Sequence, residues 1–139
     1  VIIRQMNIYD FDEMLKLWEK VADIADILLD SKAKLERFLR KNSSYNLVCQ
    51  AKNQIIGTIL CGSDGQRAYI YHIAVRKDYE SKSIATDLIS EVIRKLRADG
   101  IEECRLFVID DNYQEQDFWS NEGWKESRDL LVFSRQLNL

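Results

Sequence analysis

The sequence predicts an α/β fold: a mixed sheet with helices on its faces, in the order βααβββαβαββ. Three observations carry this. Apolar residues recur at helical spacing in the first forty positions, short strand-like runs joined by tight turns fill the centre, and a strand runs through a polar turn into an amphipathic helix from Ile73 to Ser90.

Each element has its own signal. Val1 to Arg4 reads as a short strand, and Asn7 is placed to cap a helix whose apolar positions are Phe11, Met14, Leu15, Trp18, Val21 and Ala22. Asp23 to Asp30 breaks that pattern, and a second helix from Ser31 to Lys41 places Leu35, Phe38 and Leu39 on one side. Tyr45 to Ala51 and Gln54 to Gly62 are strand-like and separated only by Lys52 and Asn53, which predicts a hairpin. Asp64 and Gly65 mark a turn before the strand Arg67 to Val75, so the centre is an antiparallel meander. From Ile84, the residues Ala85, Leu88, Ile89, Val92, Ile93 and Leu96 form one helical stripe, and Gly100 sits where a C-terminal cap is expected. Glu102 to Ile109 returns as a strand and Asn112 opens a helix that ends before Gly123. Trp124 to Leu137 reads as a final hairpin with Asp129 near its bend.

Composition narrows the function. The 139 residues fit one domain spanning 1–139. With 20 basic and 23 acidic residues the net charge is -3, so no global basic field exists to hold nucleic acid. Apolar runs such as Ile24 to Leu29 and Ile55 to Cys61 are far shorter than a membrane span, and the expectation is a soluble, cytoplasmic protein. Cys49, Cys61 and Cys104 are widely spaced with no CxxC, which reads as buried free thiols rather than a disulfide framework. A lone histidine, His72, argues against a zinc centre, and no metal site is expected.

The turn after Val75 is the candidate site. A buried strand, a polar turn and a helix N-terminus aim several backbone N–H groups at one point, a geometry suited to phosphate. Glycine normally allows close approach there, yet this turn carries Ser81 and Ser83 with Glu80 in front.

The element order and three local motifs resemble the GNAT superfamily of acyl-CoA-dependent N-acetyltransferases over nearly the whole chain. The first motif is His72-Ile73-Ala74-Val75, matching the strand whose splayed end offers backbone groups to the cofactor's pantetheine arm. The second is Glu80-Ser81-Lys82-Ser83-Ile84-Ala85, similar to the family's pyrophosphate turn, where Arg or Gln leads and Gly stands at the positions of Ser83 and, alternating with Ala, Ala85. The third is Asn112 followed by Phe118-Trp119 and Gly123-Trp124. The resemblance implies a GNAT-like, mostly antiparallel sheet with helices on both faces, and acetyl-CoA as co-substrate. The residues it implies in cofactor binding are Ile73, Ala74, Val75, Ser81, Lys82, Ser83, Ile84, Ala85, Thr86, Asn112 and Trp119. The family's Tyr near the cofactor sulfur donates a proton to the departing thiolate, a role Trp119 lacks the acidity to fill.

Acetyl transfer to an amine needs a held thioester, a deprotonated amine and donors for the developing oxyanion. Ser83 is compatible with the turn if another conformation is used or if a left-handed strain of about 1 to 2 kcal/mol is absorbed. Glu80 repels phosphate, and Lys82, with Arg76 and Lys77, offsets part of that. Tyr69 and Tyr71 are expected on one face of their strand and His72 on the other, while the neighbouring strand presents Phe107 and Ile109 without a carboxylate. His72 and Tyr71 are therefore the candidates for a base, alongside a base acting through water. Trp18, Asp23, Asp26 and Asp30 either wall an amine site or form a solvated helix end. The implied function is transfer of an acetyl group to a primary amine, a small molecule or a protein N-terminus, by a monomer or homodimer. The alternative is a GNAT-fold regulatory or binding protein that holds CoA or another phosphate ligand without turnover.

Overall fold

The computed structural model describes residues 1–21 and 31–138. Asp23, Asp26 and Asp30 lie outside the described residues, as does the side chain of Ser81. The chain divides into two compact units, Val1–Phe107 and Val108–Leu139.

The first unit is built on a five-stranded sheet of β1 (Ile2–Gln5), β2 (Leu47–Ala51), β3 (Gln54–Ser63), β4 (Arg67–Val75) and β5 (Glu103–Arg105), neighbouring in that order. The first four strands pair antiparallel and β5 joins β4 in parallel. Lys52 and Asn53 both adopt left-handed backbone angles, φ 52° and 62°, as a two-residue hairpin turn requires. Asn7 accepts from the Tyr9 amide while the Asp10 carboxylate accepts from the Asn7 amide, so a capping box opens a 3-10 turn leading into α1 (Phe11–Lys20). Arg4 clamps the same Asp10 with two bonds of 2.9 and 2.8 Å, tying β1 to the helix start. Ser31 caps α2 (Lys32–Asn42), and α3 (Ile84–Ala98) closes at Gly100, φ 78°.

Phe11, Met14, Leu17 and Trp18 of α1 share one buried cluster with Leu35 and Leu39 of α2 and with Val48, Ile55, Leu60 and Ala74 of the sheet. Helix α3 lies on the opposite face. Thr58 accepts a bond from the Trp18 indole of α1, while a Cβ at the adjacent Gly57 would stand 3.0 Å from Ile84 Cγ2 and 3.3 Å from Leu88 Cδ1 of α3. The sheet is thus covered on both faces. A Gly57→Ala chain is expected to lose about 1 to 3 kcal/mol of stability by overpacking against α3. Urea unfolding measures this, and an unchanged midpoint would contradict the close approach of α3.

The expected strands after α3 differ. The strand after α3 covers only Glu103–Arg105 rather than reaching Ile109, because its register with β4 ends at Tyr69↔Arg105; Phe107 and Ile109 are exposed. In the second unit, α4 (Tyr113–Asn121) forms as expected and ends at Gly123, φ 92°. The final hairpin does not form: residues 124–138 are irregular around a turn at Arg128 and Asp129, with no strand partner among the described residues. Leu131, Val132 and Phe133 are all exposed, so the apolar residues expected in the hairpin are not buried. Among the described residues no helix is long and apolar enough to cross a membrane, and Cys49, Cys61 and Cys104 are free thiols.

Candidate active site

The site is made by two features, one at the end of β4 and one in the turn leading to α3. Beyond Tyr69, β4 has no partner strand on its β5 side among the described residues, which leaves one backbone edge of Ile73, Ala74 and Val75 unpaired by the sheet. Ala74 is buried in the core and its two neighbours are half-buried, so the main chain here is held firmly from the β3 side.

The chain then turns through a 3-10 segment, Lys77–Lys82, into Ser83 and α3. Ser83 takes φ 61°, ψ 18°, a left-handed conformation, and its side chain makes no capping bond. Of the two possibilities the sequence left open, the turn therefore keeps the left-handed geometry and carries its strain of about 1 to 2 kcal/mol. A right-handed Lys82 followed by a left-handed Ser83 is the backbone arrangement of an anion-binding nest. The amides of Ile84, Ala85 and Thr86 have no helical acceptor, being the first of α3, and the first intrahelical bond at this end runs from Asp87 N to Ser83 O at 3.0 Å.

The surrounding charge is mixed. Glu80 and Lys82 are both exposed. Arg76 is engaged by Asp78 at 2.7 Å and 3.2 Å and by Gln54 at 3.0 Å, and its guanidinium lies 5.1 Å from the Tyr79 ring centroid. Its charge is therefore largely neutralised before it can offset Glu80, which leaves that task to Lys82 and Lys77. A groove of about 410 Å³ lined by Lys20, Val21, Arg76, Lys77 and Asp78 runs beside the start of the turn.

The expectation that Tyr71 and His72 point to opposite faces is corrected. The register of β3 and β4 shifts between Leu60 and Cys61, where Leu60 pairs His72 and Cys61 pairs Ile70. The extra residue on β4 breaks the two-residue alternation. His72 meets the Trp18 ring of α1 at 5.9 Å and Tyr71 meets the Phe38 ring of α2 at 5.6 Å, both edge to face. Consecutive residues thus project toward the helices of one face. Burial drives the His72 pKa down to about 4, and its Nδ1 is buried without a hydrogen-bond partner among the described residues. Burial, reinforced by neighbouring titratable groups, raises the Tyr71 phenol above its ordinary 10. Neither group is tuned to take a proton from an ammonium near neutral pH.

In the second unit, Asn112 caps α4: its Oδ1 accepts from Glu115 N at 3.1 Å and its Nδ2 donates to the Glu115 carboxylate at 3.2 Å. The Trp119 ring is buried between Phe118 and Trp124, each at 5.1 Å, and its indole N–H points to Glu115 at 3.4 Å. Sequence reasoning did not single out Thr58 as the acceptor for Trp18, nor the ring contacts of Phe38, Tyr69 and Phe107. The alternation of Tyr69 and Tyr71 was the available signal for the latter.

Known proteins match this chain in sequence and in fold. The acetyltransferase (GNAT) family model matches residues 9–124. An acetyltransferase of Sodalis glossinidius (strain morsitans) is 34% identical over 110 residues, covering 79% of this chain and 77% of that protein. Among solved structures, the PaiA N-acetyltransferase from Thermoplasma acidophilum in complex with coenzyme A superposes with a TM-score of 0.78 at 22% identity, covering 89% of each chain. An aminoglycoside acetyltransferase from an uncultured soil metagenomic sample, in complex with sisomicin, gives 0.77 at 20% identity over 99% of this chain and 96% of that one. At these identities the two structures share the fold.

Proposed function

The chain belongs to the GNAT acetyltransferase family, and on that premise we propose that it moves an acetyl group from acetyl-CoA to a primary amine by direct attack. The observation that carries this reading is the Lys82–Ser83 nest opening into α3, joined by one 3-10 segment to the unpaired edge of β4. The fit to a pyrophosphate is good in backbone terms, since N–H donors and a helix N-terminus need no particular side chain. In this reading Ile84, Ala85 and Thr86 amides, with Ser81, Lys82 and Ser83, bind the phosphates, and main-chain groups of Ile73, Ala74 and Val75 hold the pantetheine arm. Asn112 and Trp119 are assigned to the cofactor by the family pattern alone, which treats residues 1–139 as one functional domain.

Acetyl-CoA supplies a thioester: the new C–N bond forms as the C–S bond breaks, and the proton shed by the amine ends on the thiol. The chain's own part is positioning. A His72 held near pKa 4 stays neutral throughout the physiological range, so it packs against Trp18 and leaves deprotonation of the amine to solvent. Tyr71, with its raised pKa, remains a phenol able to donate a hydrogen bond. The acceptor is a small-molecule amine or a protein N-terminus, and the site of action is the cytoplasm.

Thiol release measured across a panel of primary amines tests the reading. Release is expected only when amine and acetyl-CoA are both present. A rate that no amine raises above the amine-free background would contradict it.

A further inference from the structure

Three aromatic rings near the unpaired edge of β4 have no part in the acetyl transfer derived above. Tyr71 and Tyr69 of β4 have ring centroids 6.3 Å apart, and Phe107 continues the row 6.1 Å from Tyr69, each pair tilted by 32°. Both spacings lie in the range at which rings attract one another, so the three form one surface. The Tyr71 end is held from two sides. Phe38 of α2 packs against it edge-on at 5.6 Å, and Gly62 of β3 gives it room, since a Cβ there would stand 3.2 Å from Tyr71 Cε2. The row is nonetheless open to solvent, with Tyr71 45% exposed and Phe107 64%.

The charges around the row are matched. Arg67, two residues before Tyr69, bonds the Glu103 carboxylate, which Arg105 also reaches at 3.3 Å. The Asp64 carboxylate accepts from the Arg67 amide at 2.9 Å and acts electrostatically on both the Arg67 guanidinium and the Tyr71 phenol. Two guanidiniums thus face two carboxylates, and these four groups leave no net charge to select an ionic ligand. What the surface offers is its rings. Tyr71 stands two residues, roughly 7 Å, before Ile73, where the main chain assigned to the cofactor begins.

Resting on the acetyl-transfer reading, we propose that the acceptor is a small-molecule amine whose body is an uncharged aromatic ring. Its amine lies at the Tyr71 end and its ring rests on Tyr71, Tyr69 and Phe107. Rings already braced by Phe38 and by one another lose little freedom when a further ring joins them. The row is three rings long and its far end meets charges that are already paired. It therefore offers surface to one or two rings and nothing to a longer chain. Transfer keeps the balance given above, with this amine as the nucleophile.

Phenethylamine and cyclohexylethylamine, alike in size and linker, test this as acceptors with purified protein and acetyl-CoA. The phenyl compound is expected to show a KM roughly threefold to tenfold lower, the scale of an aromatic pair beyond its buried area. Phe107→Ala should shrink that ratio toward one, while Tyr9→Ala, which removes an exposed ring from the turn before α1, leaves it as it is. Equal KM values for the two amines, or a ratio that Phe107→Ala does not change, would overturn this proposal and leave the acetyl-transfer reading standing. So would a lower KM for glycyl-phenylalanine amide than for phenethylamine, which would assign the row to a peptide N-terminus. If no amine releases thiol, that reading has failed by itself, and calorimetric binding of the phenyl and cyclohexyl amines then decides: tighter phenyl binding that Phe107→Ala weakens supports the aromatic site, and any other result overturns it.

Discussion

A chain carrying Glu80→Arg is expected to bind acetyl-CoA at least tenfold more tightly than the natural sequence. Glu80 is exposed within the turn that leads to α3, and reversing its charge removes a repulsion and adds an attraction. Each is worth about 1 kcal/mol at 4 Å in water and about 4 at the effective dielectric of a protein surface. Even the lower figure, taken twice, gives more than tenfold. Added salt should reduce the gain, because the groups are exposed to screening. Ser83→Gly acts differently. Its left-handed strain is present with or without ligand, so relieving it should raise folding stability by about 1 kcal/mol, net of glycine's greater freedom when unfolded. Affinity should change only through closer approach of phosphate to the backbone. Calorimetry and urea unfolding on the two single variants separate these effects. Unchanged affinity in Glu80→Arg would show that phosphate binds elsewhere.

Acidification from neutral pH is expected to cost the fold up to about 3 kcal/mol through His72 alone. The folded pKa is depressed to about 4 by burial, below the ordinary 6.5. Between those values the unfolded chain binds a proton that the folded chain refuses. The contribution is therefore complete above pH 6.5, is lost progressively as pH falls, and is fully gone below about 4. Asp10 acts in the same direction: burial pushes its carboxyl up, but the Arg4 bond and the Asn7 amide outweigh that and hold it below its ordinary value. Comparison with His72→Gln isolates the histidine. The variant should show a flatter fall in stability between pH 6.5 and 4, and an identical slope in both proteins would contradict a buried neutral His72.

Much of this molecule was legible in its sequence because the signals were local. Asn7, Ser31, the Lys52–Asn53 turn, and Gly100 and Gly123 each terminate or open an element through their own backbone chemistry. The strand Arg67–Val75 and the helix from Ile84 fall where the spacing placed them. What failed depended on partners. The bulge opposite Cys61 is a property of two paired strands, and no period in β4 alone reveals that Tyr71 and His72 share a face. The hairpin expected from Trp124 to Leu137 required a strand to pair with, and residues 124–138 find none among the described residues. At the turn, the sequence showed that glycine was missing. Only the structure shows that Ser83 takes the left-handed angle glycine would have taken.

Calorimetric titration of the natural chain with acetyl-CoA bears most directly on whether that turn still holds the cofactor. Saturable one-site binding is predicted, with the fold stabilised by about 2.7 kcal/mol at a ligand concentration one hundred times the dissociation constant. No heat of binding and no change in melting temperature at millimolar acetyl-CoA would contradict the account.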